Sequence, residues 1–337
     1  MFIGQNCIIS PKVLIPEDVT IGNNVCIEKG VEIGAGCKIR DGVILCANSR
    51  IGSNSYLDFG VIIRENVTLG EGSFVGARCI LGEYLVDFME NKDIQHHKTV
   101  IGVHALIRSG TIIYGENIIG DYLQTGHNVT IRENSQIGHH VRVGTLCDIQ
   151  GDCQIGNYVS MQSGIYIAQR SIIQDYIWLY PHVVLTNDPN PPSEELAPII
   201  IENFATVAAQ SVILPGRTVG SDAVVGAGSV VSKDVQKGMI VVGNPIREFG
   251  DTLNYKSKAT GENVYPWRYH FERGMPWRGV GYDEWMLSVS EEKGEEETVI
   301  NKKVKCSGGG IEYNYIYATP RSLLLQIGNL WRNGEAA

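Results

Sequence analysis

Residues 3–45 read IGQNCIISPKVLIPEDVTIGNNVCIEKGVEIGAGCKIRDGVIL, and every sixth residue, from Ile3 through Ile9, Ile15, Ile21, Ile27, Ile33 and Ile39 to Leu45, is aliphatic. The same step continues to Leu81, stops at Gly82, resumes at Ile101, runs to Leu185, then returns at Ile201 and ends at Val231. Of the 35 positions on this step only Thr125 is not apolar. An α-helix repeats every 3.6 residues and a strand every two, so neither produces a step of six. Glycine or a small polar residue often follows the aliphatic, as in Ile21-Gly22, Ile33-Gly34, Ile119-Gly120 and Ile155-Gly156, where a tight corner takes a permissive backbone. Small or β-branched residues sit four positions after it. Cys7, Cys37, Cys79, Cys147 and Cys153 occupy that slot, which reads as a small buried hydrophobe.

The remaining composition narrows the function. A chain of 337 residues is two domains or one long repeat array, and 43% hydrophobic with 19% charged residues is a folded composition. A net charge of −9 gives no electrostatic footprint for nucleic acid or an anionic membrane surface. The start, MFIGQNCIIS, has no basic leader region, and no apolar run is long enough to span a bilayer, so a cytoplasmic protein is expected. Eight cysteines without a C-x-x-C pair argue against a zinc ribbon or a redox motif. No G-x-x-x-x-G-K-[ST] occurs either.

The pattern [LIV]-G-x-x-[STAV]-x over residues 3–249 resembles the hexapeptide-repeat acyltransferases. That resemblance implies an all-β fold, a left-handed parallel β-helix of about twelve coils with three hexads to a triangular coil. It makes residues 1–249 the β-helix domain and residues 250–337 a small C-terminal extension of mixed structure. The family's enzymes are homotrimers with active sites between neighbouring prisms. Two loops interrupt the repeat, residues 83–100 (EYLVDFMENKDIQHHKTV after Gly82) and 186–200, and counting hexads places both on the same edge, five coils apart. Long loops on a regular scaffold usually carry function. In the first, Asp93, His96 and His97 are candidates for contacts to a nucleotide-linked sugar.

The stretch from Leu106 to Gly144 is similar to acyltransferases acting on nucleotide-linked amino sugars. Within Thr125-Gly126-His127-Asn128-Val129, His127 takes the third place of its hexad, where a side chain points out, and matches the family's catalytic histidine. An amine attacking a thioester must be neutral and must lose a proton, which suits an imidazole base. The alternatives are a histidine packed at a subunit interface and a substrate-assisted route in which the departing thiolate takes the proton. Asn128 is a candidate substrate contact beside it. His139 shares the third place on a different corner, and His139-His140 reads as surface or interface. Thr186-Asn187-Asp188-Pro189 resembles the Thr-Asn-Asp turn of nucleotide-sugar N-acetyltransferases, with Asn187 and Asp188 as sugar contacts; an Asx-type turn accounts for the same residues. The closing VVGAGSVVSKDV and VVGNPIREFG resemble the tail of coenzyme A-using members, where Lys233 and Arg247 would pair with cofactor phosphates.

From about Gly250 the step of six is lost and the composition changes. Trp267, Trp277, Trp285 and Trp331 fall here, with Tyr265-Pro266-Trp267-Arg268-Tyr269-His270-Phe271 and Met275-Pro276-Trp277-Arg278 as irregular aromatic segments. Ser288 to Glu297 reads as an exposed charged stretch, residues 298–304 and 311–318 as strands, and residues 320–332 as a helix. The extension either caps the prism or staples a trimer, or it lends an aromatic residue to the nucleotide or acyl pocket.

The resemblance thus implies an N-acyltransferase that moves an acyl group from acyl-CoA, acetyl-CoA or a longer hydroxyacyl-CoA, to the amine of a nucleotide-linked, dTDP-linked, amino-deoxy sugar for surface polysaccharide or glycan biosynthesis. The length of the chain is also similar to the anthrose-pathway type of 4-amino-sugar acyltransferase. A sugar O-acetyltransferase and a non-catalytic β-helical scaffold are the alternatives. No two histidines stand five apart, so the metal site of the γ-carbonic anhydrases, which share the prism, is not expected, and no metal is assigned.

Overall fold

The computed structural model describes residues 2–92 and 98–296. Apart from Ile15, each residue of the six-residue step lies in a strand of two to four residues, is buried from Ile21 onward, and three such strands close one coil. Residues eighteen apart therefore stack, as in Ile119 on Ile137 and Val143 on Met161, and bond through the backbone to the coils before and after. The result is a three-faced parallel β-helix. Its first face has 14 strands, of which the last, Arg247–Asp251, is antiparallel; its second has 12 and its third 10. The first face thus counts thirteen turns.

The turn beyond the expected twelve lies where the step of six ends. Val241 stacks on Val225 and Val235 bridges to Val219, sixteen residues apart instead of eighteen. A coil shortened by two residues stays in the stack while leaving the sequence period. Antiparallel Arg247–Asp251 then pairs with Met239–Val242 and closes that end of the first face.

The core is a column of aliphatics, with Ile21, Leu45, Leu57, Ile63, Ile113, Ile149 and Val207 all fully buried. Each contributes about 1.5–3 kcal/mol by burial. The slot four residues on is buried too, and its occupants bond to corner carbonyls: Ser73 Oγ donates to Gly70 O at 2.8 Å, and the Cys79 and Cys147 thiols to Arg108 O and Gln162 O at 3.2 and 3.0 Å. Cys37, Cys79, Cys147 and Cys153 are buried and Cys7 partly so, as the pattern requires. Burial pushes the Cys153 thiol up to about 12.

The corner glycines serve a different purpose from the one expected. Gly120 and its counterparts have ordinary backbone angles, but a Cβ on Gly120 would come within 2.8 Å of the Gly138 carbonyl carbon in the next coil. Close approach of coils selects glycine there. The left-handed position falls two residues later, and non-glycine residues fill it at most corners.

Between the third and first faces two ladders run along the corner. In one, each side chain accepts from the backbone N–H of the coil before: Asp121 from Val103, His139 Nδ1 from Asp121, Asn157 from His139, Asp175 from Asn157 and Asn203 from Asp175, at 2.6–3.1 Å. In the other, His104, Tyr122, His140, Tyr158, Tyr176 and Phe204, all left-handed, stack ring on ring with centroids 4.5–5.3 Å apart. His139 and His140, read as surface or interface, are half-buried rungs of these ladders.

Both interruptions leave the edge between the second and third faces. Leu81 and Leu185 lie on the second face and Ile101 and Ile201 on the third, so neither loop hides a hexad.

The chain divides into two compact units, Met1–Met275 and Pro276–Ala337. The aromatic segment to Met275 belongs with the β-helix: Trp267 Nε1 donates to Phe204 O at 2.8 Å, and Trp267 and Phe271 meet Trp178 edge to face. In the second unit Tyr282–Glu296 forms an α-helix, so most of the stretch read as exposed charge from Ser288 is helical. Tyr282 and Trp285 pack on Trp277 there, at 5.1 and 5.4 Å between ring centroids. The elements expected at 298–304, 311–318 and 320–332 lie outside the described residues. No helix among the described residues is long and apolar enough to cross a membrane.

His140 gives the fold a pH dependence. Its burial between Tyr122 and Tyr158, reinforced by the neighbouring His139 and partly opposed by Asp121, holds the imidazole below its ordinary value of 6.5. The unfolded chain then takes up a proton that the folded chain resists, so this contribution is full above about pH 6.5 and is lost as pH falls through the folded value. His140→Phe, which keeps the stacked ring, is expected to flatten the decline in melting temperature between pH 7 and 5 relative to the unaltered protein, as followed by circular dichroism.

Candidate active site

Thr125, the one polar residue of the inward register, marks a local change in the first face. Everywhere around it the residue after the aliphatic donates its N–H to the aliphatic's carbonyl one coil on, as Gly126 does to Val143 and Gly144 to Met161. At Thr125 the partner changes. The Arg108 N–H goes to the Thr125 hydroxyl at 2.9 Å, and the Thr125 carbonyl instead accepts the Arg108 guanidinium at 2.6 Å. Thr111 Oγ1 completes the arrangement, 3.2 Å from the same hydroxyl and donating to Gly126 O at 3.3 Å. A threonine is therefore tolerated at 1% exposure because its hydroxyl takes a place in the backbone ladder.

Two residues on, His127 is held by its backbone and free at its ring. Its N–H donates to Thr145 Oγ1 at 3.2 Å, its carbonyl accepts from Leu146 at 3.0 Å, and the side chain is exposed. Asn128 takes the left-handed corner with φ 52°, donates its N–H to Ser109 O and lays its amide over Gly110. Beside them a cleft of about 350 Å³ is lined by Arg108, Gln124, His127, Arg142, Thr145 and Ser163, with Thr125 at its floor. The outward column Gln124, Arg142, Ser160, Trp178 runs along the first face at its side. Burial, with the charge of Arg273 added, holds the Arg142 guanidinium below its ordinary value. Reading in steps of six does not find Arg108, Arg142 or Thr145; a step of eighteen from Gln124 and from His127 reaches Arg142 and Thr145 directly.

The other expected residues lie elsewhere. Asn187 and Asp188 follow Leu185 on the edge between the second and third faces, away from the corner that carries His127. Asn187 Nδ2 donates to Gln169 O at 3.3 Å and its carbonyl accepts from Ala197 at 2.7 Å. The Asp188 carboxylate accepts from the Ser193 hydroxyl at 2.6 Å and from the Ser193 and Asn190 N–H groups, which holds it below the usual carboxylate range. Those bonds close an Asx-type turn over the loop. In the first loop Tyr84 lies under the Arg64 guanidinium and against Phe88, at 4.1 and 4.2 Å, while Asp93, His96 and His97 lie outside the described residues. Lys233 and Arg247 are exposed near the C-terminal end of the β-helix, on different elements. Among the described residues Glu28, Cys46 and Glu65 place donor atoms within 4.8 Å of one another, but Glu28 already accepts the Ala47 N–H and Arg64 adds positive charge beside the group.

Thr125→Val restores the apolar register and strands the Arg108 N–H. Urea unfolding is expected to show a loss of about 1–3 kcal/mol, the usual cost of an unsatisfied buried donor, despite the more regular sequence.

Comparison with known proteins places the repeat. The family described as GMPPB C-terminal domain matches residues 3–96, and the one described as hexapeptide repeat of succinyl-transferase matches residues 198–233. Galactoside O-acetyltransferase of Escherichia coli K12 is 36% identical over 90 residues, 23% of this chain and 44% of that protein. The 2,3,4,5-tetrahydropyridine-2,6-dicarboxylate N-acetyltransferase of Staphylococcus aureus strain JH9 is 42% identical over 64 residues, 19% of this chain and 26% of that one. The chain thus spans less than half the length of these curated relatives. Among solved structures, the Arabidopsis UDP-N-acetylglucosamine acyltransferase aligns with TM-score 0.42 and 19% identity over 87% of this chain and 91% of its own. PerB from Caulobacter crescentus, solved with CoA and GDP-perosamine, aligns with TM-score 0.25 and 19% identity over 42% and 57%. Residues 198–233 of the first unit thus match a hexapeptide-repeat family, and further stretches of the chain are similar to parts of named acetyltransferases.

Proposed function

We propose that the chain is a CoA-dependent acyltransferase that acylates the amine of a nucleotide-linked amino sugar, with His127 as general base. The observation that carries this reading is the cleft at Thr125, where a backbone rearrangement and two arginines surround an exposed imidazole whose main chain is fixed on both sides. The neutral amine attacks the thioester carbonyl, the imidazole accepts the proton, and the C–S bond breaks to release the thiolate, which takes a proton to leave as free CoA. Lys233 and Arg247 suit the CoA phosphates, as exposed cations near the end of the β-helix. Asn128, Asn187 and Asp188, with Asp93, His96 and His97 of the other loop, are assigned to the acceptor sugar. His127 and the Thr186–Asp188 turn stand on different edges of one prism, so a site using both draws the second edge from another copy, which supports a homotrimer. A dTDP-linked deoxyamino sugar is the favoured acceptor, placing the enzyme in surface glycan assembly in the cytoplasm. Similarity to galactoside O-acetyltransferase over 90 residues favours a sugar hydroxyl as the second acceptor class.

Acetyl-CoA and a panel of dTDP-, UDP- and GDP-linked amino sugars, with thiol release followed and the product weighed by mass spectrometry, tests the reading. Acyl transfer to an amine confirms it, transfer only to hydroxyl acceptors selects the second class, and absence of both CoA binding and transfer favours a scaffold. His127→Ala is expected to lower kcat about 10²–10⁴-fold with little change in substrate affinity; unchanged turnover selects the substrate-assisted route. Lys233→Ala with Arg247→Ala is expected to weaken CoA binding in calorimetry and to leave acceptor binding as it was.

A further inference from the structure

The segment that returns after the β-helix does more than cover apolar surface. Phe271 and Trp267 seat edge to face on Trp178, and this brings residues 271–275 back over the first face. The chain turns at Gly274 in a left-handed conformation, φ 77°, with its α-carbon so placed that a methyl there would lie 3.5 Å from the Arg142 guanidinium. Arg142 in turn stands 5.5 Å over the Trp178 ring, and Arg273 5.7 Å over Phe271. Two guanidinium groups thus flank one aromatic pair, close enough for the charge of one to be felt by the other. Among the described residues no carboxylate forms an ion pair with either. Arg142 is half-buried and Arg273 exposed beside it, and a half-buried charge facing a like charge without a counter-ion is costly unless an anion joins the pair.

We infer that Arg142 and Arg273 form a phosphate subsite adjoining the His127 cleft, and that its occupant is the diphosphate of the nucleotide-linked acceptor. Planar guanidinium forks hold phosphate oxygens in pairs. Arg142 lines the same cleft as His127. In a nucleotide-linked amino sugar only the sugar ring separates the diphosphate from the reacting amine, whereas in acyl-CoA the whole pantetheine arm separates the phosphates from the thioester. A phosphate subsite adjoining the base therefore fits the acceptor and not the donor. This assignment rests on the acyltransferase reading and gives the C-terminal segment a part in substrate binding.

Binding to the full-length chain by calorimetry tests it, with inorganic pyrophosphate, dTDP, UDP, GDP and CoA as probes. Arg142→Gln and Arg273→Gln are each expected to weaken pyrophosphate and the preferred nucleoside diphosphate by at least about tenfold while CoA changes little, since a lost charged hydrogen bond is worth that much. Arg273→Glu, which places a carboxylate beside Arg142 at an exposed position, is expected to abolish diphosphate binding with the melting temperature unchanged, so a folding defect at Arg142 does not obscure the result. In turnover the glutamine variants raise the acceptor KM and leave kcat nearly as it was. Loss confined to CoA would assign the pair to the donor and overturn the acceptor assignment. Unchanged affinity for every probe, with acyl transfer intact, would overturn the subsite alone; absence of binding by the unaltered protein to both CoA and all diphosphates would remove the acyltransferase reading with it.

Discussion

Each strand of the β-helix finds its hydrogen-bond partners one coil away, and that single requirement governs the rest of the molecule. A coil has no hydrogen bonds across itself, so its strands are satisfied only by the coils on either side. Stacking at the spacing of strands, about 4.8 Å, brings the coils so close at the corner between the third and first faces that a Cβ on Gly120 would meet the next coil. Hence Gly120 sits against Gly138, and the inward place goes to one aliphatic per side. Where the requirement is relaxed, at Thr125, the relaxation is compensated atom for atom by a hydroxyl and a guanidinium.

The corner between the third and first faces shows how the stack tolerates a conformation most side chains avoid. A left-handed residue other than glycine costs roughly 1–2 kcal/mol. Six successive rings at that corner recover comparable amounts, since each parallel contact contributes about 0.5–1.5 kcal/mol. The parallel ladder of Asp121, His139, Asn157, Asp175 and Asn203 closes otherwise open N–H groups one residue before the left-handed turn. Histidine serves in both ladders because a neutral imidazole can accept a backbone N–H or stack on tyrosine.

The periodicity made most of the β-helix legible, including the edge from which both loops depart, because a step of six is a direct record of three-sided winding. It missed the thirteenth turn because a coil shortened by two residues keeps its contacts but shifts its phase after Val231. It also drew attention to Thr125 and His127 through the one break in the register. Arg108, Arg142 and Thr145 were hidden because neighbours across coils are eighteen residues apart, beyond the reach of a local motif. The Thr186-Asn187-Asp188 turn was legible as a motif, yet its carboxylate is occupied by Ser193 and Asn190 in the folded loop, a pairing that spacing alone does not fix. The Ser288 to Glu297 stretch read as charge because Glu and Lys fill most of it, a composition that leaves little apolar period to signal a helix.

The shared departure edge of the two loops has a consequence for how such a chain can diverge. Both stem from the same side of a uniform stack, so their separation is counted in whole coils. Insertion or deletion of eighteen residues between them would change the gap in increments of about 4.8 Å and leave the direction of each loop, and the core beneath it, as before. The β-helix therefore works as a graduated spacer, on which the distance between two loops is adjustable in discrete steps without redesign of either.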